Sequence, residues 1–304
     1  MRRVVSLLAV CVVAMLAMFS PVRAQERINV VATFSILGDF ARNVGGDRVN
    51  VTTLVGPDSD THVYTPTPAD AKKIADARLV IVNGLGLEGW LPRLVKSSGS
   101  KAATVVATKG VTPRKIDSSE ALSKEHDPGS ADPHAWQSVP NAKIYVANIR
   151  DALVAADPSG ADAYKVNAAA YLDKLDALDR EVRDAVAKIP AERRSVISTH
   201  DAFGYFAVAY GINFIAPQGV STESEPSARD IAAIISQIKK QKIPAVFLEN
   251  VTDPRLMRRI AAETGATIGG TLYSDSLTEE KGSAPTYIDM VRHNIKTLTS
   301  ALSS

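Results

Sequence analysis

Residues 158–189 read PSGADAYKVNAAAYLDKLDALDREVRDAVAKI, the longest stretch of helical pattern in the chain. Its apolar residues recur at intervals of three and four and therefore share one face of a helix. These residues are Tyr164, Ala168, Tyr171, Leu175, Leu178, Val182 and Val186. At about 1.5 Å per residue, some 30 residues make a helix of roughly 45 Å, which can run the length of a protein rather than cover one sheet. We predict one rigid helix that joins two lobes, with two shorter helices as the alternative.

On both sides of this segment, short β-branched runs alternate with helical patterns, as is typical of an α/β fold. Before it we predict strands at 28–33, 49–55, 79–82 and 103–107, and helices at 35–44, 68–77 and 141–155. After it we predict strands at 195–199, 245–248 and 267–272, and helices at 202–210, 227–242, 253–265 and 287–302. The predicted organisation is an N-terminal α/β lobe at 25–157, the linking helix at 158–189 and a similar C-terminal α/β lobe at 190–304. Two such lobes place a ligand cleft at their junction, outside the carboxyl ends of the strands.

Residues 1–24 have the pattern of a secretory signal peptide. Arg2 and Arg3 precede an apolar run at 4–19, and Val22 and Ala24 occupy the −3 and −1 positions of a cleavage site. The alternative, an N-terminal membrane anchor, is disfavoured because about 16 apolar residues fall short of the roughly 20 that span a bilayer. Cys11, the single cysteine, has no small-residue lipobox before it. We therefore expect a periplasmic mature chain that is not lipid-anchored and has no disulfide.

The charges of the chain are nearly balanced. There are 35 Lys and Arg residues against 33 Asp and Glu residues, and cleavage of the signal peptide removes Arg2, Arg3 and Arg23. A mature chain that is close to neutral offers no electrostatic case for binding nucleic acid. Aromatic residues make up 6% of the chain, which disfavours the aromatic-walled cleft of an organic-solute binder. We expect a water-soluble monomer.

Three of the five histidines and one aspartate lie where predicted strands or loops end. His62 follows the second strand, and His134 lies at the exit of an acidic loop. His200 directly follows the strand at 195–199, and Asp275 follows the strand at 267–272. They lie 72, 66 and 75 residues apart, so each belongs to a different supersecondary unit, and two fall in each lobe. Such donors suit zinc and similar divalent ions, but spacing alone favours ordinary loop or core histidines.

Six segments around these residues resemble the metal-binding solute-binding proteins of bacterial ABC importers, the zinc/manganese family that includes the ZnuA, TroA and PsaA types. The segments are HVYTPTP at 62–68, NGLGLE at 83–88, DPHAW at 132–136, THDAFGYF at 199–206, EPSA at 225–228 and LYSDSL at 272–277. The resemblance covers essentially the whole mature chain. It implies two α/β lobes joined by one long helix, with a metal site in the cleft between them.

The resemblance also implies the metal ligands, which map onto His62, His134, His200 and Asp275. Manganese and iron binders of the family often have Glu at the third position, whereas zinc binders have His, as this chain does. We therefore expect Zn²⁺, because a third imidazole replaces a hard oxygen donor, with Mn²⁺ as the alternative. The implied function is capture of the ion and its delivery to an ABC-type permease in the inner membrane. A metallochaperone is a further candidate partner.

One departure from the family pattern is the loop between the first two ligands, because many zinc-specific members carry a long His- and acid-rich loop there. Residues 117–133 are polar and acidic and contain one histidine, His126. A solvated loop is favoured over a residual metal-capture loop in which Glu125, His126 and Asp127 act as weak ligands. His293 lies opposite the apolar stripe of the last predicted helix, so we predict a surface residue.

A metal-dependent hydrolase is the main competing function, with Asp201 and Glu249 as candidate general bases. A catalytic zinc keeps one coordination position open for water, whereas four protein ligands close the site and favour carriage. An adhesin is a further alternative, but the sequence has no repeat or exposed apolar segment that indicates one. We predict a binding protein and not an enzyme.

Overall fold

The computed structural model describes residues 26–116 and 131–303. The predicted signal peptide, and residues 117–130 of the acidic loop with His126, lie outside the described residues. Among the helices in the described ranges, none is long and apolar enough to cross a membrane.

The N-terminal half forms a four-stranded parallel sheet with helices packed against it. Its strands are β1 (Ile28–Phe34), β2 (Val49–Val55), β3 (Leu79–Val82) and β4 (Ala103–Val106). Its helices are α1 (Ser35–Gly45), α2 (Pro68–Ala75), α3 (Leu91–Ser98) and α4 (Val139–Ala156). The strand order is β2-β1-β3-β4, so all carboxyl ends meet at one edge of the sheet. This edge faces the second lobe.

A single helix, α5 (Ala161–Ala187), follows the short 3-10 turn Pro158–Gly160 and leads into the second half. Its 27 residues run without a break, which makes a helix of about 40 Å. The residues of the predicted apolar stripe are all buried: Tyr164, Ala168, Tyr171, Leu175, Leu178, Val182 and Val186. The prediction of one long helix is confirmed, and the alternative of two shorter helices is wrong.

The C-terminal half repeats the architecture of the first. Its strands are β5 (Ser195–Ile197), β6 (Asn213–Ile215), β7 (Ala245–Glu249) and β8 (Thr267–Leu272). Its helices are α6 (Gly204–Tyr210), α7 (Ala228–Gln241), α8 (Arg255–Thr264) and α9 (Tyr287–Leu302). The strand order β6-β5-β7-β8 is the order of the first sheet, so the prediction of two similar α/β lobes is confirmed.

The two lobes share one hydrophobic core with α5. The ring of Phe40 in α1 packs against those of Tyr145 in α4 and Tyr171 in α5, at centroid distances of 6.0 and 6.2 Å. It also contacts Tyr287 of α9, at 4.8 Å. The buried carboxylate of Asp39 accepts the N–H of Tyr287 at 3.0 Å, across the lobe boundary. These contacts join the lobes firmly behind the cleft.

The structure differs from the predicted elements mainly around one of the candidate ligands. The strand predicted at 195–199 ends at Ile197, and the helix predicted at 202–210 begins at Gly204. Between them, the N–H groups of Thr199 and His200 bond to the Glu249 carboxylate rather than to a neighbouring strand. The elements α3 and β6 were not predicted. Each is short, and hydrophobic periodicity can be recognised only over a longer stretch of sequence.

Candidate metal centre

The four residues singled out in the sequence come together at the junction of the lobes. One donor atom from each of His62, His134, His200 and Asp275 lies within 4.8 Å of the other three. His134, His200 and Asp275 are completely buried, and His62 is 8% exposed. The site is therefore enclosed, and only His62 reaches toward solvent.

The same local pattern, Asp-x-His, positions both histidines of the N-terminal lobe. Asp60 Oδ1 accepts the backbone N–H of His62 at 2.8 Å, in the loop that follows β2. Asp132 Oδ1 accepts the backbone N–H of His134 at 2.9 Å, just before the 3-10 turn Ala135–Gln137. An aspartate two residues before each histidine thus closes a turn that aims the imidazole inward.

The distances between donor atoms match a tetrahedral ion. Asp275 Oδ2 lies 3.3 Å from His62 Nε2 and 3.1 Å from His200 Nε2. Asp275 Oδ1 lies 3.5 Å from His134 Nε2, which is 3.2 Å from His62 Nε2. Donors about 2.0–2.2 Å from an ion in tetrahedral geometry are about 3.3–3.6 Å apart, so these four distances are close to those that such an ion requires.

The Asp275 carboxylate is an unusual buried group. Within the described residues, neither of its oxygens accepts a hydrogen bond of acceptable geometry, and both are buried. A buried carboxylate without hydrogen bonds is costly unless a cation lies against it. In the metal-free chain the imidazoles must supply that positive charge, and a metal ion would supply it directly.

Two further carboxylates orient the imidazoles from outside. Asp132 Oδ1 lies 2.8 Å from Nδ1 of His134, and Glu249 Oε2 lies 2.6 Å from Nδ1 of His200. The contact with Asp132 is a hydrogen bond that holds the proton on Nδ1 of His134 and leaves Nε2 free to face a metal, whereas Glu249 lies within ion-pair distance of His200. The orienting role of Asp132 was not predicted, although the Asp-x-His pattern is a signal for it. Glu249 was predicted only as a candidate base, but it also accepts the N–H groups of Thr199 and His200 at 2.7 and 3.0 Å.

The remaining residues that the sequence singled out lie outside the centre. Asp201 lies 3.9 Å from the Arg114 guanidinium and is not one of the four clustered donors. His293 is partly buried rather than purely superficial: its Nε2 lies 3.0 Å from the carbonyl oxygen of Thr271, and its ring contacts Tyr273.

The pKa values of the clustered groups are strongly shifted by their mutual contacts. Burial by itself lowers the pKa of His134, but Asp275 and Asp132 outweigh it and raise that pKa to about 9. Burial is likewise outweighed at His200, where Glu249 and Asp275 hold the pKa well above its ordinary value. Burial raises the pKa of Asp275, but His200 and His134 dominate and keep it well below its ordinary value.

We expect metal binding to release protons. The imidazole of His134 carries a proton below about pH 9 in the metal-free chain, and the pKa of His200 is also raised well above its ordinary value, whereas a metal ligand must be neutral. Apparent zinc affinity should therefore weaken as pH falls, by about tenfold per pH unit for each proton displaced. In the metal-free chain, the stabilisation from protonated His134 is complete below its ordinary pKa of 6.5 and is lost as pH rises through about 9.

Titration calorimetry at pH 7 in two buffers of different ionisation enthalpy measures this release. The difference in heat should correspond to about two protons per zinc ion. Equal heats in the two buffers, after correction for zinc–buffer binding, would contradict the assigned protonation.

Two similar parallel-sheet lobes with an enclosed site at their junction define a class, that of two-lobed substrate-binding proteins. Residues 30–301 match the family described as zinc-uptake complex component A, periplasmic, or ZnuA. The chain belongs to this family, and it is the periplasmic metal-binding component of an ABC importer.

Relatives of the chain are named for different metals. The iron-binding protein YfeA of Yersinia pestis is 38% identical over 285 residues, which cover 94% of this chain and 89% of YfeA. The manganese-binding lipoprotein MntA of Halalkalibacterium halodurans is 37% identical over 278 residues, which cover 91% and 89% of the two chains. The solved structure of the periplasmic zinc-binding protein TroA from Treponema pallidum has a TM-score of 0.82 at 32% identity, and the match covers 91% of this chain and 100% of TroA.

The expectation that the mature chain is not lipid-anchored is wrong. MntA is named as a lipoprotein, and so are streptococcal relatives at 30–32% identity. An extracytoplasmic location otherwise fits the family. The expectation rested on the absence of a small-residue lipobox before Cys11, a local pattern outside the described residues.

Proposed function

We propose that this protein captures zinc with His62, His134, His200 and Asp275 and delivers it to an ABC-type permease. The observation that carries the proposal is the clustering of four donor atoms within 4.8 Å of one another, with four of the distances at 3.1–3.5 Å. That spacing matches four donors of one tetrahedral ion, and the imidazoles present Nε2 to it. A metallochaperone is a further candidate partner, and the protein acts as a monomer.

The donor set supports zinc over manganese. Three imidazoles and one carboxylate suit zinc, whereas Mn²⁺ prefers oxygen donors in a site of higher coordination number. His200 decides the expected preference for zinc over manganese, because it supplies an imidazole nitrogen at the position where an oxygen donor would favour manganese. Glu249, whose Oε2 lies 2.6 Å from Nδ1 of His200, further strengthens the nitrogen donor.

The same geometry supports carriage rather than hydrolysis. Four protein donors fill a tetrahedral shell, whereas a catalytic zinc needs a position for water. Glu249, the stronger candidate base, is occupied by the His200 ring and two backbone N–H groups. We therefore infer a binding protein and not a hydrolase.

We also propose the boundaries of its three parts. They are an N-terminal lobe at 25–157, a linking helix at 158–189 and a C-terminal lobe at 190–304.

Metal analysis followed by competition tests the choice of metal. Protein purified without added metal should contain close to one zinc ion per chain by mass spectrometry of the metal content. In a competitive titration, zinc should displace manganese with an advantage of at least about a hundredfold, as expected for a site rich in imidazole. Comparable occupancy by manganese at equal free concentration would show that the selectivity is broader than proposed.

A further inference from the structure

The exposure of the four donor side chains indicates the route by which an ion reaches the centre. His134, His200 and Asp275 have no exposed surface, whereas His62 is 8% exposed. His62 also lines a pocket of about 650 Å³ that opens to solvent, together with Val63, Trp90, Pro133, Val220 and Glu223. An ion that enters or leaves must therefore pass His62.

The opposite side of the centre is closed by buried contacts between the lobes. Trp136 Nε1 and Gln137 Nε2 donate to the carbonyl oxygen of Ser274, at 2.9 and 2.6 Å. The hydroxyl of Tyr287 donates to the carbonyl oxygen of Trp136 at 2.6 Å. Because these bonds are buried and adjoin His134 and Asp275 in sequence, release of an ion on this side would require the shared core to open.

The loop that carries His62 is anchored at its base. The backbone N–H of Asp58 donates to the carbonyl oxygen of Leu277 at 2.8 Å, and Asn250 Nδ2 donates to Asp58 Oδ1 at 3.1 Å. Asp58 itself has a φ of 50°, which marks a sharp turn directly before the segment with the ligand. Movement of His62 is thus confined to the residues beyond Asp58.

Beyond this anchor, the backbone N–H of Ser59 donates to Ser276 Oγ of the opposite lobe at 3.3 Å, and a second, shorter hydrogen bond lies closer to His62. Thr222 Oγ1 donates to Asp60 Oδ2 at 2.6 Å, while the other oxygen of Asp60 holds the backbone N–H of His62 at 2.8 Å. A single carboxylate therefore connects the outermost ligand to the far side of the cleft. Both residues also line a second pocket of about 450 Å³, so there is open space into which the bond can separate.

The Thr222 side of this bond is rigidly supported. Gln218 Nε2 donates to the carbonyl oxygens of Thr222 and Ser224, at 3.1 and 2.9 Å. The backbone of Gln218 forms a bridge with that of His200, so the Thr222 loop is supported by the segment that carries another ligand. The hydroxyl of Thr222 is thus presented to Asp60 from a fixed position.

We propose that the Thr222–Asp60 hydrogen bond is a latch that holds His62 against the ion and sets the rate at which the ion leaves. The inference rests on the proposed metal binding at His62, and it names Thr222 as a positioning residue that touches no ion. Breaking the bond releases Asp60 from the far lobe, so that His62 can move toward the pocket beside Trp90 while Trp90 Nε1 still holds the carbonyl oxygen of Thr61 at 3.3 Å. Dissociation then proceeds without separation of the lobes.

Thr222→Val, which keeps the shape and removes the hydroxyl, tests the latch in the full mature chain. The probe is the zinc ion, and the measurement is its dissociation rate in stopped flow with an excess of a chromophoric chelator. Loss of a hydrogen bond to a charged group should speed release about tenfold or more. The association rate should change much less than the dissociation rate, as is usual among variants of one binding site.

Two further variants make the result specific. Thr222→Ser retains the hydroxyl and should release zinc at nearly the rate of the unaltered protein. Thr252→Val is the matched control: Thr252 lines the same second pocket, and its buried hydroxyl has no partner among the described residues. It should leave the release rate unchanged.

Equal release rates for Thr222→Val and Thr252→Val would overturn the latch, and so would fast release from Thr222→Ser with an unchanged melting temperature. These outcomes are distinct from failure of the proposed function. If the unaltered protein shows no zinc binding in the same competition, the metal site itself is refuted and not only the latch.

Discussion

His200→Ala should abolish the stabilisation of this protein by zinc. The substitution removes a fully buried donor whose Nε2 lies 3.1 Å from Asp275 Oδ2. It also leaves two buried carboxylates, those of Glu249 and Asp275, without the imidazole between them. A ligand at about a thousand times its dissociation constant adds roughly 4 kcal/mol to the stability of the folded state, and that gain depends on the complete donor set.

The measurement is thermal unfolding with and without zinc, with the difference between the two melting temperatures as the readout. For a chain of this size, a gain of roughly 4 kcal/mol corresponds to a shift of about 10 °C in the unaltered protein. The shift in His200→Ala should be close to zero. Using the difference separates loss of metal binding from any loss of stability in the metal-free variant.

His293→Ala is the matched control for this experiment. His293 lies in α9, where its Nε2 contacts the carbonyl oxygen of Thr271 rather than the metal centre. Its removal should leave the full zinc-dependent shift. An undiminished shift in His200→Ala would refute the assigned donor set, whatever the absolute melting temperature.

Trp136→Ala should cause the largest loss of stability in the metal-free protein. The side chain is fully buried, its ring lies 4.9 Å from that of Phe34, and its Nε1 donates to the carbonyl oxygen of Ser274. Truncating a large buried aromatic residue costs about 3–5 kcal/mol, because the cavity that remains is only partly filled. The carbonyl of Ser274 keeps one donor, Gln137 Nε2, so most of the loss comes from packing in the shared core.

Urea unfolding followed by circular dichroism, in the presence of a chelator, measures this loss without a contribution from metal. Val208→Ala provides the control, because Val208 is 80% exposed and its truncation should change stability by less than about 0.5 kcal/mol. Trp136→Phe should lie between the two. A loss below about 1 kcal/mol in Trp136→Ala would contradict the assignment of this residue to the shared core.

Local patterns in the sequence predicted most of the fold. The stripe from Tyr164 to Val186 indicated α5, and strands such as β1, β2 and β8 were predicted to within one residue. The elements that escaped prediction were short, as at α3 and β6. The strand predicted at 195–199 and the helix predicted at 202–210 are both shorter in the structure. The carboxylate of Glu249, on another strand, accepts the backbone N–H groups of Thr199 and His200 between them.

The candidate site was predictable in part, and by two different routes. Positions after strands or at a loop exit made His62, His134, His200 and Asp275 candidates, and the family resemblance implied that they form one ligand set. The orienting roles of Asp132 and Glu249 required coordinates, since each acts through a side-chain contact. The lipid anchor of the relatives was missed because the expectation rested on the absence of a small-residue lipobox before Cys11.

The order of strands and helices, the long linking helix and the placement of the donors at element ends were determined by the sequence alone, because periodicity and turn residues act over a few neighbours. Only the tertiary structure decided that four donors spread over more than 200 residues of the chain lie within 4.8 Å of one another. It also decided that Thr222 reaches Asp60 across the cleft. Such distances follow from the sheet order and from the packing of both lobes into one core, which no local pattern specifies.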